Sequence, residues 1–210
     1  PTFTQAGYRV IAPDFVGFGR SDKLVHMRDY SHHLHTNTLI TLVEHLELTN
    51  VTMVVQDWGG TTGLTSVEAL KKRIERLVIM NAGLPPNSNR IDTQHMNKRK
   101  LAKNLSGLLM WKAMMKAAGQ RIPIGLVFAA SCPNISSGAI KGYNAPFPDL
   151  RYKAGAAWWP KMVPLTQSGE VAEATLKAKA FLKNWHKPAF ILFSNQCPVS
   201  SSLYDYFQAL

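Results

Sequence analysis

Four short apolar runs punctuate the chain, and polar or helical patterns separate them. The runs are Tyr8–Ala12, Val51–Val55, Leu77–Met80 and Phe190–Phe193. Each is nearly continuous and rich in β-branched or aromatic residues, which is typical of strands that are buried on both faces of a parallel sheet. The pattern therefore predicts a parallel sheet covered from both sides.

Helical periodicity fills the intervals between these runs. An amphipathic face between the first two runs consists of Leu34, Leu39, Leu42, Val43 and Leu46. Further helices are predicted over residues 61–72, directly after Gly59-Gly60, and over residues 168–184. Alternation of strands and helices predicts an α/β fold with a doubly wound, mostly parallel sheet flanked by helices.

The interval between the third and fourth runs is too long for a simple loop. It opens with the turn-forming segment Leu84–Asn89 and then contains helical patterns near residues 93–105 and 108–118. We expect an inserted helical cap over the carboxyl ends of the strands, where open α/β sheets bind their ligands. The predicted organisation is a core from 1–86, a cap from 87–165 and a continued core from 166–210.

Composition narrows the class of protein. The chain has 210 residues, of which 46% are hydrophobic and 18% charged, as in an ordinary globular domain. Its net charge of +11 is spread along the chain, with one short run at Lys98–Lys100, so no nucleic-acid partner is predicted. No apolar run reaches the roughly 18 residues of a membrane span.

The two cysteines, Cys132 and Cys197, do not have the spacing of metal ligands. They indicate reduced thiols and a cytoplasmic location, and no metal or cofactor is predicted. The chain begins at Pro1, which is neither an initiator methionine nor the start of a signal peptide, so we expect the true N-terminus to be missing.

The candidate chemistry lies at the end of the second run. Val51–Val55 leads directly into Gln56-Asp57-Trp58-Gly59-Gly60 and then into a helix, the arrangement of a nucleophile elbow. An aspartate is already ionised at neutral pH and needs no base to attack an alkyl carbon. The indole of Trp58 can only donate a hydrogen bond, which suits a leaving anion such as halide. Alternatively, Asp57 is a plain helix cap and Trp58 a core residue.

Several segments together resemble the haloalkane dehalogenases. They are Val-Val-Gln-Asp-Trp-Gly-Gly at 54–60, the segment 10–22, Val-Ile-Met-Asn-Ala at 78–82 and Ala-Pro-Phe-Pro-Asp at 145–149. The resemblance implies an α/β-hydrolase fold in which Asp57 is the nucleophile and Trp58 a halide donor. It implies a second halide-binding role for Trp111, which is otherwise a core tryptophan of a cap helix. Gln56, Phe147 and Pro148 would line an apolar substrate pocket.

The same resemblance exposes departures from the family pattern. The family's catalytic histidine follows the fourth strand, but no histidine lies between Phe193 and Leu210. The family's catalytic acid has two locations, which hold Cys197 and Asn81 in this chain. His32, His33 and His35 are expected at the surface of the preceding helix. The family's early strands also have no counterpart here, so we expect a fragment, a truncated gene model or a degenerate copy.

The expected function is hydrolytic cleavage of carbon–halogen bonds through an alkyl-enzyme ester, impaired by the missing histidine and acid. The expected partners are a small apolar halogenated substrate, water and halide, and the oligomeric state is open. One alternative is an epoxide hydrolase of the same fold, with Tyr143 and Tyr152 as acids. Another is a non-catalytic homologue that retains an apolar pocket.

Overall fold

The computed structural model describes residues 1–84, 96–132, 134–163 and 169–210. Three parallel strands form the sheet in the order β1-β2-β3, and they are Val51–Asp57, Ile74–Ala82 and Ala189–Leu192. They coincide with the second, third and fourth apolar runs, so these strand predictions are confirmed. The parallel pairing requires crossover connections, which the helices supply.

Helices surround the sheet and fill the long insertion. We number them α1 Thr2–Gln5, α2 His32–His45, α3 Trp58–Ser66, α4 Lys98–Ala118, α5 Ile124–Ser131, α6 Ser137–Asn144, α7 Ala154–Met162, α8 Glu170–Leu182 and α9 Leu203–Gln208. Single 3-10 turns occur at Met27–Asp29, Gly119–Arg121 and Arg151–Lys153. No helix among the described residues combines the length and apolar character needed to cross a bilayer.

The first apolar run does not form a strand, so that prediction is wrong. Tyr8–Ala12 has no regular secondary structure, and Val10 and Ile11 are 54% and 37% exposed. A strand exists only where a neighbour completes its hydrogen-bond ladder. Within the described ranges, no strand lies beside this segment.

The sheet is covered on one face, which corrects the expectation of two covered faces. Met53 and Val55 of β1 are buried at 8% and 3%, whereas Val54 between them is 56% exposed. Phe190 of β3 is 59% exposed. The helices that contact the sheet all contribute to one hydrophobic core, which includes Val43, Leu64, Leu182 and Phe207. Side chains alternate between faces along a strand, so the opposite face of the described sheet is bare.

The long insertion is helical and has a small core of its own. The stretches expected near 93–105 and 108–118 form one continuous helix, α4, whose cap is the side chain of Asn97. Met115, Ile122, Ile124 and Ala156 form a hydrophobic cluster separate from the sheet. The boundaries predicted at 86/87 and 165/166, and most of the loop Leu84–Asn89, lie outside the described residues. These boundaries stay predictions.

Candidate active site

Asp57 lies at the last position of β1, and α3 begins at the next residue. Its backbone has φ 51° and ψ −120°, a conformation that a residue with a side chain rarely adopts. Such a conformation costs about 1–3 kcal/mol and is held by its surroundings. The carboxylate makes no capping hydrogen bond to α3. The plain helix-cap interpretation of Asp57 is therefore not supported.

Close packing around the turn explains one of its glycines. A Cβ atom at Gly60 would lie 2.5 Å from the Cβ of Ala82 on β2, and one at Gly63 would lie 2.6 Å from Val55. A Cβ at Gly59 would meet nothing within 4 Å. The second glycine of the pair, not the first, is thus the one that the close approach of α3 to the sheet requires.

The pKa of Asp57 reflects a carboxyl group that is surrounded by protein atoms on most sides but is still exposed to solvent on one. The residue keeps a solvent-exposed side, yet the protein atoms packed around its carboxyl raise its pKa above the ordinary value. The backbone N–H of Trp58 lowers the pKa and partly opposes this effect. Desolvation dominates, so the anion is less well solvated here than in open water.

An aromatic path leads from the elbow into the insertion. The ring of Trp58 meets that of Trp159 on α7 at 4.9 Å between centroids. Trp159 in turn meets Phe18 at 5.1 Å, and Phe18 meets Phe147 at 6.4 Å. Trp111 of α4 packs in the same cluster as Phe18 and Phe147. These contacts give the elbow an apolar neighbourhood.

The remaining predicted pocket residues lie farther from this path. Gln56 precedes the elbow in β1, pairs in register with Met80 and is exposed. Pro148 is also exposed, although it follows the half-buried Phe147. No hydrogen bond or ring contact in the described part of the chain joins either side chain to Trp58. Their pocket roles stay predictions.

Two buried histidines were missed by the expectation of a surface cluster. His32 and His35 are 4% and 1% exposed, whereas His33 is exposed as expected. Nε2 of His32 lies 3.3 Å from the carbonyl of Thr61 and 3.1 Å from Oγ1 of Thr65 on α3. The available signal was helical spacing, because His32 and His35 continue the inward face of Leu39 and Val43.

The two positions expected for a catalytic acid meet in an uncharged network. Asn81, at the end of β2, has φ 38° and donates from its amide to Oγ of Ser200 at 3.1 Å. The Sγ atom of Cys197 lies 3.2 Å from the same hydroxyl. The Oδ1 atom of Asn81 accepts from the backbone N–H of Ser194. The network contains amide, thiol and hydroxyl groups but no carboxylate, so it offers no negative charge to stabilise a protonated histidine.

Two open grooves lie away from the elbow. A groove of about 710 Å³ follows α2 between Asp29 and His45, and a second of about 460 Å³ lies beside Cys132 and Tyr143. Neither is lined by Asp57, and we assign no chemistry to them. Among the described residues, no three His, Cys, Asp or Glu side chains cluster closely enough to hold a metal ion.

Comparisons with known proteins agree with the α/β fold described above. Residues 1–196 match the family model of the alpha/beta hydrolase fold. The chain is 37% identical over 196 residues to a haloalkane dehalogenase of Mycolicibacterium paratuberculosis, a match that covers 93% of this chain and 61% of that protein. It is 34% identical to epoxide hydrolase 3 of Xenopus tropicalis, over 38% of this chain and 22% of that protein.

A solved structure extends the likeness to three dimensions. The tetrameric haloalkane dehalogenase of Paraglaciecola agarilytica NO2 matches with a TM-score of 0.79 and 27% identity, over 98% of this chain and 73% of that one. The chain spans less than two thirds of the length of the first curated haloalkane dehalogenases that it matches.

Proposed function

The chain belongs to the α/β hydrolase fold family, and from that premise we propose that it is a haloalkane dehalogenase-like hydrolase with Asp57 as nucleophile. The observation that carries the proposal is the backbone of Asp57, whose φ of 51° holds the residue on a sharp turn between β1 and α3. Similarity to haloalkane dehalogenases over most of the chain supports the choice of substrate class.

The first chemical step is a substitution at carbon. A carboxylate oxygen of Asp57 forms a bond to the halogen-bearing carbon, and the carbon–halogen bond breaks with its electron pair leaving on the halide. The product is an alkyl ester of Asp57 and a free halide. The reaction needs no proton transfer, which suits a carboxylate that has no ion-pair partner among the described residues.

Trp58 is the proposed donor to the departing halide. Its indole N–H has no hydrogen-bond partner among the described residues, and it follows the nucleophile directly in the chain. Trp111, which packs in the neighbouring cluster, is the proposed second donor. Donors of this kind stabilise the charge that develops in the transition state.

Replacing Trp58 tests the donor role. Trp58→Phe keeps an aromatic ring but removes the N–H, so we expect ester formation to slow about a hundredfold, the usual loss for one such donor. The matched control is Trp158→Phe, which alters a half-buried tryptophan whose ring lies under Lys161. Bromide release measures the rate. Equal rates in both variants would contradict the role of Trp58.

The second step, attack of water on the ester, needs a base. In the described part of the chain, no histidine is hydrogen-bonded to Asp57, and Asn81 and Cys197 provide no carboxylate to orient one. Water alone hydrolyses a carboxylic ester slowly at neutral pH. We therefore expect the 210-residue chain to accumulate the ester and to turn over at most once.

Intact-mass measurement after incubation with a bromoalkane tests the whole proposal. The expected result is a gain of one alkyl group per chain, located on Asp57 by peptide mapping. Asp57→Asn is the control and should gain nothing, because an amide is a poor nucleophile. An unchanged mass for the folded wild-type chain would contradict an assembled nucleophile site.

The alternative functions predict different products. An epoxide hydrolase needs tyrosines that point at the epoxide oxygen, but Tyr143 stacks on Phe128 with its centroid at 3.7 Å. Diol formation without halide release would favour that activity over dehalogenation. Ligand binding with neither adduct nor product would favour a non-catalytic homologue.

A further inference from the structure

The buried histidine of α2 is hydrogen-bonded to the insertion. Nε2 of His35 and Nε1 of Trp159 are 2.7 Å apart, although 124 positions separate the two residues. An indole nitrogen can only donate, so Nε2 of His35 must be the acceptor. The neutral imidazole therefore carries its proton on Nδ1. The contact joins a helix of the sheet layer to α7 of the insertion.

The surroundings of His35 keep the imidazole in this neutral state. Phe15 packs edge-on against it at 5.6 Å, and Tyr30 stacks on it at 6.1 Å. Desolvation, with a smaller contribution from the nearby His32, lowers the pKa of His35 to about 4. At neutral pH the ring therefore stays uncharged and can accept the indole N–H.

Close packing next to this hydrogen bond brings α7 against the ring of Tyr30. A Cβ atom on Gly155 would lie 2.9 Å from the ring of Tyr30, so only glycine permits this approach. Trp159 itself is 7% exposed, and its hydrogen bond to His35 is buried. Without His35, the indole donor would be buried and unpaired, and the cost of the unpaired N–H would favour a different orientation of the indole ring.

The hydrogen bond also decides which part of Trp159 meets the elbow. Because its N–H is engaged by His35, Trp159 offers ring carbons to Trp58, at 4.9 Å and an interplanar angle of 64°. This ring contact gives Trp58 an apolar neighbour on the side of α7.

We propose that His35 is a positioning residue, which fixes Trp159 as an apolar wall of the substrate site for the alkyl part of a haloalkane. This role rests on the proposed function, which supplies the substrate class. The hydrogen bond between His35 and Trp159 is independent of the proposed function, because it can be measured with no substrate present.

Nuclear magnetic resonance tests the hydrogen bond directly. In the ¹⁵N-labelled chain, the indole signal of Trp159 is the one that Trp159→Phe removes from among the five tryptophans. We expect this signal to show scalar coupling across the N–H···N bond to Nε2 of His35, and to exchange slowly with water. A Trp159 indole that shows no coupling and exchanges rapidly would overturn the proposal.

Alkylation kinetics test whether the orientation of Trp159 affects substrate binding. In His35→Phe, which cannot accept, we expect the half-saturating bromoalkane concentration to rise about tenfold, as for one lost buried hydrogen bond, while the saturating rate of ester formation changes little. His35→Gln restores an acceptor and should recover much of the affinity. A purely structural role would instead lower the fraction of active chains and leave the half-saturating concentration unchanged.

Two further outcomes keep the test decisive. If His35→Phe does not fold, Trp159→Phe provides the comparison, because it keeps a ring but loses the N–H. An unchanged half-saturating concentration in that variant would overturn the wall role. A folded wild-type chain that takes up no alkyl group would overturn the proposed function and the wall role together, whereas the indole coupling would still establish or exclude the contact of His35 with Trp159.

Discussion

At the scale of single residues, the environment of each group decides its chemistry more than its type does. Asp57 follows an apolar run and precedes a helix, so its turn could be expected from neighbouring residues alone. The partner of His35 could not, because Trp159 lies 124 positions away and no local pattern pairs them. The helical spacing of His32 and His35 with Leu39 was the available signal for burial, and the expectation of surface histidines overlooked it.

The buried histidines predict how stability depends on pH. The folded-state pKa of His35 is about 4, below the ordinary 6.5. Between pH 4 and 6.5, His35 is therefore protonated in the unfolded chain and mostly neutral in the folded chain. The free energy of unfolding should fall by on the order of 3 kcal/mol as the pH drops from 6.5 to 4. His32, whose pKa is also lowered, acts in the same direction. The raised pKa of Asp57 acts in the opposite direction at acid pH.

Urea unfolding between pH 7.5 and 4.5 measures this dependence. His35→Gln cannot titrate, so its stability should change less with pH than that of the wild type. The exposed His186→Gln is the matched control and should keep the wild-type slope. Parallel slopes for the wild type and His35→Gln would show that His35 is not the group responsible.

At the scale of elements, three strands could be predicted from apolar runs, but an apolar run does not indicate whether one or both faces of the resulting sheet are covered. Val51–Val55 is apolar except for Thr52, yet burial in β1 alternates because the contacting helices share one core. Tyr8–Ala12 is also a short, mostly apolar run, but it forms no strand, since pairing depends on a neighbouring strand and not on the run itself. Helical stretches were expected near 93–105 and 108–118, but α4 runs without a break through Ser106 and Gly107, because one glycine inside a helix costs only about 1 kcal/mol.

Adjacent valines of β1 test this one-sided burial. Val55 is 3% exposed and its Cγ1 packs against Gly63, so Val55→Ala should lower the free energy of unfolding by about 2 kcal/mol. Val54→Ala is the matched control, with the same change of strand propensity at a position that is 56% exposed. It should change stability by no more than about 0.5 kcal/mol. Equal losses in urea unfolding would mean that both faces of the sheet are covered in solution.

At the scale of the whole molecule, contacts of two different chemistries attach the described part of the insertion to the sheet layer. Near α7 the contact is aromatic and contains the hydrogen bond between His35 and Trp159. Near α4 it is polar and centres on Asn104, which is 4% exposed. A Cβ atom on Gly107 would lie 2.7 Å from the carbonyl of Pro198, so α4 lies directly against the segment that follows β3. The existence of an insertion could be predicted from the spacing of the strands, but these contacts depend on residues distant in sequence.

The polar contact at Asn104 predicts how α4 is attached to the segment that follows β3. Asn104 accepts from the backbone N–H of Ser202 at 2.8 Å and donates to the carbonyl of Cys197 at 3.1 Å. Asn104→Ala would leave both backbone groups unpaired, and Ser202 is 1% exposed, so water cannot easily replace the amide. We expect a loss of about 2–3 kcal/mol in urea unfolding and faster hydrogen exchange in the segment 197–202.

The exposed neighbour on the same helix provides the control for Asn104. Lys103→Ala keeps a good helix former and breaks no buried contact, so its stability should stay within about 0.5 kcal/mol of the wild type. Asn104→Asp should be at least as destabilised as Asn104→Ala, because its carboxylate still accepts from Ser202 but is buried against the carbonyl oxygen of Cys197. If Asn104→Ala were as stable as Lys103→Ala, with unchanged exchange after β3, the attachment of α4 to the sheet layer would depend on its apolar packing alone.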